Sequence, residues 1–181
     1  MSAAIQNLET DHQHILRLIG VMERITLTTD PDMQHLDTVL MVIREFADGL
    51  HHAKEEKHLF PLMAAKGYST EKGPVAVMLY EHEMGRNFVK GIAEGISQMR
   101  AGEPESVNYL YANMIGYVDL LKNHISKENN VLFPMADNAF TNTEKENLFI
   151  AFAEVESIHA AGEGKQDYIS LIEKLAAIYS A

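Results

Sequence analysis

One segment of eleven residues occurs twice in this chain, and it constrains the fold more than any other feature. His51-His52-Ala53-Lys54-Glu55-Glu56-Lys57-His58-Leu59-Phe60-Pro61 aligns with His124-Ile125-Ser126-Lys127-Glu128-Asn129-Asn130-Val131-Leu132-Phe133-Pro134, with His, Lys, Glu, Leu, Phe and Pro identical. One helix upstream of each copy stands an acid followed by a histidine, Asp11-His12 and Glu81-His82. The chain therefore reads as two helical hairpins. Each offers one His from its first helix and a His-x-x-x-Glu from its second.

Apolar periodicity supports this reading. The first helix spans about residues 3 to 27, with Ile5, Leu8, His12, Ile15, Ile19 and Met22 on one face. Thr28-Thr29-Asp30-Pro31 ends it and caps the second, which runs from about Met33 to the neighbourhood of Pro61. The third begins near Glu71 to Pro74 and ends near Arg100, its seam alternating three and four through Val75, Met78, His82, Gly85 and Val89. Ala101-Gly102-Glu103-Pro104 breaks the chain before a fourth helix from about Glu105 to Asp137. The tail, 141–181, reads as one or two more helices broken near Gly162-Glu163-Gly164. The expected fold is all-α: an antiparallel up-down four-helix bundle over residues 1–140, with a C-terminal helical extension, 141–181, packed on the same domain.

The polar residues inside these apolar stripes are His and Glu. Burying either is costly unless it is paired or bound to a metal. Residues four apart on a helix share a face, roughly 5–6 Å between Cβ atoms. A His and a Glu so placed can bind one ion together, or the Glu can bridge two. A lone His-x-x-x-Glu is usually a surface ion pair. Two copies in matching contexts, each with an upstream His, point to a paired metal centre. Nitrogen and oxygen donors without sulfur suit iron or manganese, and zinc also fits. The chain has no cysteine, which excludes iron–sulfur clusters and thiolate sites and fits a cytoplasmic protein. A net charge of −11 repels phosphates and argues against nucleic-acid binding. No apolar run approaches the ~20 residues that span a bilayer, and residues 1–10 do not resemble a signal peptide.

These strings resemble the hemerythrin-like, or HHE cation-binding, domain family, over about residues 5–140. The resemblance implies a four-helix bundle around a non-haem centre of two iron ions joined by an oxo or hydroxo bridge. It implies His12, His51, His82 and His124 as terminal ligands and Glu55 and Glu128 as bridges. An iron-sensing branch of the family also uses the residue directly after its repeat His, which makes His52 a seventh candidate. The chain departs from oxygen-carrying members at Arg86, where they place a second His, and at Glu128, where they use Asp at a longer spacing. It is closer to bacterial members linked to repair of iron centres after nitrosative stress.

The functional expectation is a di-iron protein that binds or senses O2, NO or peroxide. One alternative is a di-iron enzyme of nitrosative or oxidative stress defence, consuming NO or peroxide or donating iron; another is a bundle merely stabilised by metal. Whether the chain is an enzyme is left open, and no protein partner or further domain is indicated. His12, His51 and His52 are expected to serve one metal position. His82 and His124, beside Gly85, are expected to serve the other, where the small ligand binds. Gly85 leaves either room for that ligand or space for close helix packing. Asp11, Glu81, Lys54 and Lys127 either orient ligands or are ordinary surface charges, and Tyr117 faces the ligand or fills the core. Glu56 is expected to face solvent, whereas Glu154, Glu156 and His159 of the tail either lie on the surface or reach the metals if a fifth helix covers the bundle.

Overall fold

The computed structural model describes residues 1–103, 105–159 and 164–180. Among them are six helices: α1 (Ala3–Ile25), α2 (33–65), α3 (Pro74–Arg100), α4 (106–139), α5 (Asn142–His159) and α6 (Lys165–Ile178). The α2 cap lies one residue beyond the expected stretch. Asp32 accepts from the backbone N–H groups of Gln34 and His35, so its carboxylate satisfies amides that the first turn leaves unpaired. Glu105 precedes α4 with φ of 60°. Pro104, Gly162 and Glu163 of the expected breaks lie outside the described residues.

The repeat leaves a mark on the backbone that spacing did not disclose. Glu55–Leu59 and Glu128–Leu132 are wound as π-helix, and the N–H groups of Phe60 and Phe133 donate to the carbonyls of Glu55 and Glu128 five residues back. Both wide turns run up to the proline of Leu-Phe-Pro. A proline donates no hydrogen bond, and its ring crowds the carbonyl four residues earlier, which a wider turn relieves. A longer π-wound stretch, Ile43–His52, leads into the first copy and includes its His51 and His52.

α3 and α4 form a tight hairpin, and glycines set its spacing. A Cβ on Gly95 would lie 2.9 Å from the Leu110 Cα, and one on Gly116 would lie 2.4 Å from Phe88 Cε1. α5 and α6 cover α1 and α2. Tyr168 of α6 packs near Phe46, and Lys165 reaches Asp11.

The core divides into two apolar clusters. One contains Ile15, Ile19, Met22, Phe46, Leu50, Ile92, Met114 and Ile172. The other contains Ile5, Leu8, Leu59, Phe60, Met78, Leu132, Phe133 and Phe152. Along each of α1 to α4 the boundary between them falls at the His and Glu positions, so a single polar layer crosses the bundle.

Candidate metal centre

α1 supplies His12, α2 supplies His51, His52 and Glu55, α3 supplies His82, and α4 supplies His124 and Glu128; all seven are buried. The geometry separates them into two groups. His12, His51, Glu55 and Glu128 form one, and His52, Glu55, His82 and His124 form the other, with candidate ligand atoms within 4.8 Å of one another in each. Glu55 belongs to both. Its Oε1 lies 3.7 Å from His51 Nε2 and its Oε2 3.4 Å from His82 Nε2. Glu128 spans in the same way, 3.2 Å from His12 Nε2 and 3.3 Å from His124 Nε2. Each carboxylate thus faces one histidine from each hairpin. Within the pairs, His12 Nε2 approaches His51 Nε2 at 3.0 Å, and His82 Nε2 approaches His124 Nε2 at 3.2 Å.

The other ring nitrogens are held from outside the layer. His12 Nδ1 lies 2.6 Å from Asn129 Oδ1, and His82 Nδ1 2.7 Å from Glu56 Oε1. His51 Nδ1 lies 3.4 Å from Asp11, His124 Nδ1 3.0 Å from Glu81, and His52 Nδ1 3.1 Å from Asp48. All five partners are oxygen acceptors, so each Nδ1 carries the donated hydrogen. A neutral imidazole then presents an unprotonated Nε2 inward.

This arrangement explains the repeat position by position. Asp11 and Glu81 hold the repeat histidines, and Lys54 and Lys127 donate to those same acids. Glu56 and Asn129, aligned in the repeat, each reach the upstream histidine of the opposite hairpin. The phenylalanines cross over too: Phe133 stacks on His12 at 5.3 Å between centroids, and Phe60 on His82 at 5.8 Å.

Electrostatics identify what the layer lacks. All four oxygens of Glu55 and Glu128 are buried without a hydrogen-bond partner among the described residues. Burial, and then the neighbouring Glu55 carboxylate, drive the Glu128 pKa well up. Glu55 is held well below the carboxylate range, because His51 and His82 outweigh its burial. Burial would lower His82, but the Glu55 carboxylate 3.4 Å away and the hydrogen bond to Glu56 carry it up to about 10. Burial, with His82 beside them, takes His52 down to about 4 and His124 to about 2. Buried carboxylate oxygens without donors, ringed by inward imidazole nitrogens, form an electron-rich layer that suits divalent cations.

Several expectations change here. His52 does not join His12 and His51. It stacks on His82 at 3.8 Å between centroids and belongs to the second group, so the richer nitrogen set lies with His82 and His124. The reason is helical geometry: adjacent residues project in well-separated directions from a helix, so His51 and His52 do not aim at the same place. Glu56 does not simply face solvent. It is partly buried, and Arg86 donates to it at 2.8 Å and to Asp48 at 2.8 Å. Arg86 thereby ties together the acids that hold His82 and His52. In sequence, only its alignment with a family ligand position marked it. Asp11, Lys54 and Glu81 prove to be structural partners of the layer. Glu156 accepts from Lys54 and Lys165 rather than reaching the centre, and Glu154 is exposed. The side chain of His159 lies outside the described residues.

Fold and layer define a class of protein: a helical bundle whose core carries two His/Glu groups that could hold cations. The chain belongs to the family described as the hemerythrin HHE cation binding domain, whose match covers residues 3–136. It is 23% identical over 184 residues to an uncharacterized protein of Mycobacterium tuberculosis, covering 94% of this chain and 71% of that one. It is also similar to the iron-sulfur cluster repair protein YtfE of Cronobacter sakazakii, 35% identical over 88 residues, and of Escherichia coli O157:H7, 33% identical over 88 residues. Each of these matches covers 48% of this chain and only 40% of the relative. No helix among the described residues is long and apolar enough to cross a membrane.

Proposed function

We propose that this protein is a cytoplasmic di-iron protein that binds or senses a small ligand such as O2, NO or peroxide. The bundle over residues 1–140 is read as antiparallel and up-down, with 141–181 as an extension of the same domain. His12 and His51 hold one iron, His82, His124 and His52 hold the other, and Glu55 and Glu128 bridge them. The observation that carries this reading is the set of four buried carboxylate oxygens without donors, each bridge facing one histidine of either hairpin. Two iron ions held there would supply Lewis acidity and redox capacity to a ligand of two or three atoms. The bridging carboxylates offset the ions' charge in a core that water does not reach, while Glu56, Asp48 and Arg86 keep the second set of imidazoles aimed.

A second reading is iron donation for repair of iron centres. It is favoured by the similarity to proteins named for iron-sulfur cluster repair. The two differ in what happens to the metal: a sensor retains its iron through ligand exposure, whereas a donor loses iron to an acceptor.

Anaerobic iron loading followed by exposure to O2, NO and peroxide, with absorption spectra and metal analysis, tests both. Two irons per chain with a ligand-dependent spectrum are expected. Full occupancy by zinc from the expressing cell, with no iron uptake, would overturn the iron assignment. Glu55→Ala and Glu128→Ala should each lose most of the bound metal, and retention of both ions in either variant would refute the bridging role.

A further inference from the structure

A cavity of about 240 Å³ lies beside the second set of imidazoles, lined by Ile43, Arg44, Asp48, His52, Gly85, Arg86, Val89, Lys90 and Tyr117. Its floor is buried: Ile43, His52, Gly85 and Tyr117. Exposed Arg44 and Lys90 stand at its mouth. A water molecule occupies roughly 30 Å³ of liquid, so the cavity has room for about eight groups of that size. Dioxygen or nitric oxide needs only two. The space exceeds what a diatomic ligand requires.

Two further observations point to what fills it. The first is charge. In a chain of net charge −11, the lining carries three cations against one anion. Asp48 is already matched by Arg86 at 2.8 Å. The side chains of Arg44 and Lys90 make no ion pair or hydrogen bond among the described residues, a state they share with Arg24, Lys57, Lys72 and Lys174, but they are the two such cations that line this cavity. The second is Gly85. At Gly91, Gly95 and Gly116 an added Cβ would come within 2.1, 2.8 and 2.4 Å of a neighbour, so helix packing demands glycine there. At Gly85 the nearest atom would be Tyr117 Cε2 at 3.6 Å, an ordinary contact. Packing does not require this glycine, yet a glycine weakens a helix interior relative to alanine. Its lack of a side chain leaves the cavity floor open.

We propose that this cavity binds a small organic monocarboxylate of about eight non-hydrogen atoms. Arg44 and Lys90 hold the carboxylate at the mouth, and the apolar chain lies along Ile43, Val89 and Tyr117 with its end toward His52. The proposal goes beyond the di-iron reading and does not rest on it, because the groups invoked are not metal ligands except where the chain's end meets His52.

Isothermal titration of the full chain as purified, with hexanoate as the probe and acetate, 1-hexanol and hexylammonium as comparisons, tests it. Hexanoate should bind more tightly than all three. Arg44→Gln combined with Lys90→Gln, both exposed, should weaken hexanoate about tenfold. Gly85→Ala should weaken it while leaving the melting temperature unchanged or higher. Repeating the titration after chelation separates this proposal from the metal reading, since hexanoate affinity should survive loss of metal. Equal binding of 1-hexanol, no hexanoate binding, or unchanged affinity in the double variant would each overturn the proposal.

Discussion

Glu56 and Asn129 hold the same place in the two copies of the repeat, but one is charged and the other is not. Glu56 accepts from His82 and is itself gripped by Arg86, whereas Asn129 offers a neutral oxygen to His12. A carboxylate behind an imidazole raises its basicity more than an amide does. Glu56→Ala should therefore weaken metal binding about 10–100-fold, with a smaller effect for Asn129→Ala. Competition with a chromophoric chelator measures both, and equal losses would show that the charge is immaterial. His52 marks a limit of spacing arguments. Its pairing with His82 depends on how α2 and α3 pack, which its own helix does not reveal.

At the level of elements, α6 reaches into the layer's surroundings through one side chain. Lys165 Nζ forms an ion pair with Asp11 Oδ1 at 2.7 Å and donates to Glu156 at 2.8 Å, while Lys54 donates to Asp11 Oδ2 at 2.5 Å. Asp11 is fully buried, and these cations and His51 hold its pKa far below normal against the cost of burial. Lys165→Ala should lower stability by about 1.5–3 kcal/mol, the usual worth of a hydrogen bond to a charged partner. Asp11→Asn should cost more, about 3–5 kcal/mol, because buried Lys54 would keep only the partly exposed Glu156 as its anion. Urea unfolding of the two variants checks the order; the reverse order would mean that Glu156 alone suffices for Lys54. Lys127, the counterpart of Lys54 in the opposite hairpin, is partly exposed, and no second cation joins it at Glu81 among the described residues.

For the whole molecule, the polar layer makes metal binding and protonation compete. In the metal-free protein His82 is held up to about 10 and Glu128 is raised as well, so both favour their protonated forms. A cation must displace those protons, so loading should release protons at pH 7, and affinity should go on rising with pH up to about 10, where His82 loses its proton. Titration in buffers of different ionisation enthalpy measures the proton count; no release would contradict the assignment of His82. The same layer separates the two apolar clusters, so metal binding should also raise the melting temperature, by an amount that grows with free metal concentration.

Read alone, the sequence determined the helices, their order and the duplicated donor set. These are local properties: 3.6-residue periodicity, turn chemistry, and the cost of placing His and Glu on an apolar stripe. It also carried Asp11, Glu81 and both lysines as candidates, because they recur in register with the repeat. Only the tertiary structure decided which group His52 joins, that Glu56 and Asn129 cross to the opposite hairpin, that Lys165 closes over Asp11, and that Gly85 floors a cavity rather than a helix contact. Each depends on the rotation and approach of helices distant in sequence. Periodicity fixes which face of a helix is buried, but not which residue of the neighbouring helix it meets.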